Sequence, residues 1–236
     1  MKTKKHQPNL IKTVNMKETI KEKKYIIGHQ MDYGVYIVNG EDLYDAKTAS
    51  DLKKEGTWQS EGSHLVVFAP GLCFQLDGYR GKSVPFQKGA PSLKRFRVFD
   101  VYEALHMTDE EAKALSDELV KDGCESAIEA ASCGTGCFLP SLGHLTAIHH
   151  YSEVINSLIA KFTQDEALEI FDWYWSCNRY SASYAWNINM SNGGIYSNGY
   201  VKTLTYRVRA ISAIDLTSLT LHLSNSSAED STTSEI

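Results

Sequence analysis

The chain has 236 residues, 42% hydrophobic and 22% charged, with a formal net charge of −5. That is enough apolar material for one well-cored domain, and it provides no global basic field to hold phosphates, so nucleic acid is not expected as a partner. No stretch approaches the roughly eighteen apolar residues that span a bilayer, and the N-terminus lacks the apolar core of a secretory signal. The expectation is a protein that is cytoplasmic on synthesis and not inserted in a membrane.

Residues 1–32 form a basic N-terminal arm in which Lys2, Lys4, Lys5, Lys12, Lys17, Lys21, Lys23 and Lys24 stand against Glu18 and Glu22. Such a run buries little apolar surface, and it reads as a solvated leader, a short helix, or an arm that docks on neighbouring subunits. A hairpin is predicted over 33–44, where Val35, Ile37, Leu43 and Tyr44 flank the turn-forming pair Asn39-Gly40. A second β region spans 64–76 and is broken by Pro70-Gly71, and 78–91 reads as a Gly/Pro-rich loop. Three helices follow. Thr108 with Glu111 is a capping box ahead of Ala112, Leu115 and Leu119; Ser141 opens a helix carrying Leu142, Leu145 and Ile148; Thr163 with Glu166 is a further capping box. From Trp173 the period changes to two: Tyr184, Trp186, Ile188 and Met190 alternate with Ala185, Asn187 and Asn189 up to the turn 191–194. A short strand near Ile195 and a last one through Tyr206, Val208 and Ala210 complete the chain, and residues 216–236 read as an extra strand followed by a Ser/Thr/acidic tail. The fold class is therefore α+β, an antiparallel sheet with packed helices.

Few motifs carry chemistry. Five cysteines, an odd number, favour reduced thiols. Cys133 and Cys137 lack both the second ligand pair of structural zinc and the two-residue spacing of a redox pair. His144, His149 and His150 do not form an i, i+4 metal pair, and they read as helix-surface or capping residues. Asp109, Glu110 and Glu111 fall in a first helical turn, where they complement the helix dipole. Phosphate loops, dinucleotide fingerprints and nucleophile elbows are absent, so neither a catalytic residue, a metal nor a cofactor is expected.

Residues 174–200 are instead dominated by Tyr, Ser, Asn and Gly, the types that build antibody paratopes. Trp175, Trp186, Ile188, Met190, Tyr206 and Val208 read as the core of that region. Asn178, Arg179, Ser181, Ser183, Asn187, Asn189, Ser197 and Asn198 are the candidate ligand-binding residues, with Asn187 and Asn189 expected on the solvent face opposite Trp186 and Ile188.

Tyr174-Trp175-Ser176, Tyr180-Ser181, Ala185-Trp186, Ser191-Asn192-Gly193 and Tyr206-Arg207-Val208-Arg209-Ala210, following Phe138-Leu139-Pro140-Ser141-Leu142-Gly143-His144-Leu145, resemble the C-terminal signature of the C-type-lectin-like domains of the Fibrobacter succinogenes major paralogous family. Related variable proteins of diversity-generating retroelements, phage tropism determinants among them, share that signature and diversify this segment for ligand binding. The resemblance covers residues 33–215 and is strongest over 138–210. It implies a C-type-lectin-like fold and a non-catalytic ligand-binding, adhesion or display protein. Phage or prophage receptor binding on a virion surface is the implied setting, and a protein or glycan on a target surface the implied ligand. The Glu-Pro-Asn loop of calcium-dependent lectins is missing, so calcium-dependent sugar binding is not implied. Two alternatives stand: a structural virion or assembly protein that forms homo-oligomers or joins virion subunits through the arm, and an enzyme of the formylglycine-generating type, for which Cys133 and Cys137 would have to supply the thiols.

Overall fold

The computed structural model describes residues 12–15, 31–77, 82–91 and 96–224. The acidic tail beyond Ser224, and the basic arm except for a short strand, lie outside the described residues. The chain is a mixed α+β structure with two sheets, mostly antiparallel, and six α-helices among the described residues.

Strands β1 (Lys12–Asn15), β2 (Gly34–Asn39), β3 (Asp42–Tyr44), β4 (Ser63–Ala69), β5 (Leu72–Leu76), β11 (Ile211–Ala213) and β12 (Thr220–Leu223) build the larger sheet, in the order β1-β12-β3-β2-β4-β5-β11. The expected hairpin forms as β2 and β3, with Asn39 opposite Asp42 and Gly40 at φ 60° in the turn. The uninterrupted apolar run of β4 has a simple cause: both faces of this sheet are covered. Leu65 and Val67 join the main core, whereas Val66 and Phe68 pack with Val38, Leu43, Leu216, Leu219 and Leu221 in a second cluster on the other side.

Strands β6 (Ser83–Pro85), β7 (Trp173–Arg179), β8 (Tyr184–Asn189), β9 (Gly194–Tyr200) and β10 (Thr205–Arg207) build the second sheet, in the order β6-β10-β7-β8-β9. The stretch 78–91, expected to be a loop, thus contributes an edge strand. β6 carries Pro85, a residue that edge positions tolerate. The expected last strand through Tyr206, Val208 and Ala210 is divided. Its first part pairs with β6 and β7, and the chain then enters the other sheet as β11 beside β5.

The helices are α1 (Ala46–Lys54), α2 (Val101–Leu105), α3 (Asp109–Lys121), α4 (Glu125–Ala131), α5 (Leu142–His150) and α6 (Ser152–Phe162). The caps expected at Thr108 and Ser141 are present, and in the second one His144 supplies the reciprocal bond that Glu or Gln usually makes. Asp45 caps α1 and Asp100 caps α2. α5 touches β7 and β8 on one side and β4 on the other, so Leu142, Leu145 and Ile148 fill the space between the sheets. Thr163 and Glu166 do not start a helix. Thr163 ends α6, and the chain that follows is held by side chains instead: Asn156 bonds both polar groups of the Leu168 backbone, and the Tyr174 hydroxyl accepts from Glu169 N at 3.1 Å. These bonds satisfy the backbone groups that a helix would otherwise pair.

Candidate ligand-binding surface

The second sheet carries every candidate residue, and its two faces differ. Tyr174, Trp186, Ile188 and Met190 are buried in the main core. Trp186 also donates its indole N–H to the Phe99 carbonyl at 2.9 Å. The opposite face presents Trp173, Trp175, Asn187 and Asn189, with Trp175 paired across the strands to Asn187 and Trp173 to Asn189. From Trp186 to Met190 the alternation read from the sequence is the one the strand adopts, whereas a register shift between Ala185 and Asn187 breaks it before, leaving Tyr184 exposed and Ala185 in the core. The expectation that this second face is open to solvent holds at one end only.

Asn187 is fully buried. After β9 the chain returns to β10 across this face, with Gln87 N bonded to Val201 O at 2.9 Å and Val201 N to Ser183 O at 3.0 Å. Gly199 passes so close that a Cβ there would lie 2.4 Å from the Trp175 ring and 2.6 Å from Asn187 Nδ2. Strand β9 thus closes over Trp175 and Asn187 at this glycine. Period-two patterning does not report a close approach of this kind, which depends on a neighbouring strand.

Arg179 and Asn178 are likewise buried rather than presented. A bulge between Trp175 and Arg179 shifts the register. Asn178 turns toward α5, where its Oδ1 accepts from Leu142 N at 2.9 Å and satisfies one of the free donors at the helix start. Arg179 lies over the rings of Phe86 and Phe96, 5.0 and 5.9 Å from their centroids. Ser181 and Ser183 are half-buried in the β7–β8 turn, where Ser181 Oγ accepts from Ser183 N and Tyr184 N. Asn189 is half-buried and fixes the next turn through Ser191 N at 2.9 Å. Ser197 is half-buried and Asn198 exposed, both on the edge strand β9.

The exposed aromatic groups of β8, β9 and the β7–β8 turn, all outside the expected set, are tyrosines. Tyr180, Tyr184, Tyr196 and Tyr200 are all exposed. Tyr184 meets Tyr200 edge-on across β8 and β9, and Tyr180 meets Trp186. At the other end Tyr196, Trp173 and Tyr206 form a ring cluster, with the Arg207–Asp172 ion pair (2.5 Å) alongside. The clue to them is compositional, because Tyr is the contact residue of a Tyr/Ser/Asn surface. The alternation instead assigns Tyr184 to the core.

Among the described residues, no three His, Cys, Asp or Glu side chains gather as a metal site. Burial pushes the Cys137 thiol up to about 12, with Asp77 and Cys133 adding to the shift, which leaves it a protonated thiol at neutral pH. His144 is fully buried, linked to Ser141 Oγ at 2.6 Å and to Asp109 Oδ1 at 2.8 Å. The trio has the composition of a hydrolytic triad, but Ser141 is itself fully buried at the helix cap. Asp109 also accepts from Cys73 N at 3.0 Å, which ties α3, α5 and β5 together. No described helix is long and apolar enough to cross a membrane.

No family model and no curated protein matches the sequence. Among solved structures, a fimbrial protein from Bacteroides ovatus ATCC 8483 is similar over 42% of this chain and 24% of its own, at 22% identity and a TM-score of 0.36. The matched region is thus about a quarter of that protein's length.

Proposed function

We propose that the protein is a non-catalytic recognition module of C-type-lectin-like fold. In this reading it binds a protein or glycan on a target surface through the exposed tyrosines of β8, β9 and the β7–β8 turn, and it is displayed on a phage or prophage virion, the setting the sequence resemblance implies. The observation that carries the reading is the concentration of exposed Tyr180, Tyr184, Tyr196 and Tyr200, with Asn198, on one hairpin system. Tyrosine combines rigid contact area with a hydrogen-bonding tip at low conformational cost. The same hairpins rest on α5 and the buried Trp175, a support that holds loops in place for binding.

The test is a triple variant, Tyr180→Ala, Tyr184→Ala and Tyr200→Ala, compared with the parent on an array of glycans and bacterial surface proteins. Parent-specific signals should fall by at least about tenfold, equivalent to about 1.4 kcal/mol, while the circular dichroism spectrum stays unchanged. A folded triple variant that keeps the parent's binding pattern refutes the assignment of this surface.

A further inference from the structure

A buried cation without a counter-charge lies at the end of β7. Arg179 is only 3% exposed, yet its Nη1 and Nη2 have no hydrogen-bond partner. Its guanidinium lies over Phe86 and Phe96. The ionisable neighbours that act on it are Asp122, which attracts it electrostatically, and Cys124, whose thiol is held protonated by burial. Among the described residues no carboxylate stands at ion-pair distance from it. Burial lowers the guanidinium's pKa, but arginine remains a cation at any physiological pH. An uncompensated buried cation costs several kcal/mol, and water can satisfy its N–H groups without neutralising its charge. Gln87, next along the chain from Phe86, donates its amide N–H to the carbonyl of the same Asp122 at 3.0 Å, and its Oε1 also lacks a partner.

We propose that Arg179 is the anchor of an internal anion site that holds one small monocarboxylate of about acetate size, its two oxygens bridged by Nη1 and Nη2. The paired N–H groups of the guanidinium fork match the two oxygens of a carboxylate. The apolar walls from Phe86 and Phe96 favour a monoanion, which is less costly to desolvate than a divalent phosphate. The bound anion would fasten β7 to the segment 85–87 and so stiffen the support beneath the tyrosine surface. The site stands independently of what that surface binds.

The test uses the full chain with acetate as the probe. At neutral pH and constant ionic strength, replacing chloride by acetate from about 1 to about 100 mM should raise the melting temperature of the parent, as a ligand of the folded state does. In Arg179→Met, which keeps apolar contact with the two phenylalanines but has no charge, the acetate dependence should vanish. Titration of ¹³C-labelled acetate followed by line broadening supplies a second readout. Arg179→Lys, which keeps the charge but loses the fork, should bind at least about tenfold more weakly than the parent, and this comparison stands even if the Met variant does not fold. Equal acetate dependence in parent and variants overturns the proposal, as does a parent that responds to acetate and chloride alike. Either result would assign the space to water.

Discussion

Replacing Gly199 by alanine tests the close packing of β9 against Trp175 and Asn187 directly. The backbone of Gly199 needs no left-handed conformation, so space alone decides the outcome. The new Cβ would sit 2.4 and 2.9 Å from two atoms of the Trp175 ring and 2.6 Å from Asn187 Nδ2, distances at which something must move. The indole has little freedom to yield, because its N–H is bonded to Val84 O at 2.8 Å and its ring is packed against Phe86 and Tyr206. Overpacking of a rigid site falls toward the upper end of the usual range, about 3 kcal/mol. Loss of the glycine's freedom in the unfolded chain returns about 0.7 kcal/mol, which leaves a net cost of about 2 kcal/mol. For a domain of this size that is a fall of about 4–8 °C in Tm. Differential scanning calorimetry measures the fall, and Trp fluorescence reports the displaced indole. Gly89→Ala is the control, since nothing lies within 4 Å of the point its Cβ would occupy and it should melt at or slightly above the parent temperature. If Gly199→Ala melts within about 1 °C of the parent, β9 does not pack on Trp175 and Asn187 as closely as described, and the burial of Asn187 needs another cause.

Asn178→Ala should cost about 2 kcal/mol in a denaturant titration, because it leaves Leu142 N unpaired in the core, whereas Asn198→Ala on the exposed edge should stay within about 0.5 kcal/mol. Asp45 caps α1 at Thr48 N (2.7 Å) and accepts from Ser224, so Asp45→Ala should lose about 1–2 kcal/mol. Burial works to raise the Asp45 carboxyl, but the bonds from Thr48 and Ser224 prevail and lower it. Its contribution is therefore present above the unfolded pKa of about 3.9 and lost as pH falls through the lower folded value, and the gap between parent and variant should close in acid melts. His64 behaves in the opposite sense. Its ion pair with Asp165, 3.4 Å away, raises its pKa against the opposing effect of burial. The stabilisation is complete below about pH 6.5 and disappears as pH rises through the folded value. Thermal melts of the parent and His64→Gln should therefore differ most in mildly acidic buffer and converge at alkaline pH, and a gap that widens with pH would count against the pairing.

Local signals in the sequence carry most of the element assignments. Asn39-Gly40 fixes a hairpin, and Thr108 and Ser141 start helices, because turns and caps are decided within four residues. The same signal fails at Thr163, where Asn156 and Tyr174 offer the backbone better partners from outside the window. α1 carries its cap at Asp45, but its short polar sequence stands out little beside the stronger hairpin pattern before it. Of the candidate ligand residues, Ser181, Ser183, Asn189, Ser197 and Asn198 lie at least partly at the surface, whereas Asn178, Arg179 and Asn187 are inside. Polar identity suggests exposure for all eight. A buried amide that caps a helix and a guanidinium packed against rings read no differently in one dimension, since their partners arrive from residues 86, 96 and 142. Tyr184 shows the converse error: the alternation groups it with Trp186 and Ile188, yet it is exposed.

The position of β12 between β1 and β3 governs how this chain can be built on the ribosome. β3 pairs with β2 within one short hairpin, but its other edge is closed by β12, which runs parallel to it with Thr220 opposite Asp42 and is made long after it. Leu216, Leu219 and Leu221, which cover Val38, Val66 and Phe68, arrive at the same late moment. Until then a nascent chain carries an open strand edge beside an uncovered apolar face, the combination that recruits other chains. Synthesis of this protein therefore has a vulnerable interval whose length is set by translation speed, and chaperones that shield strand edges should matter most just before Thr220 emerges.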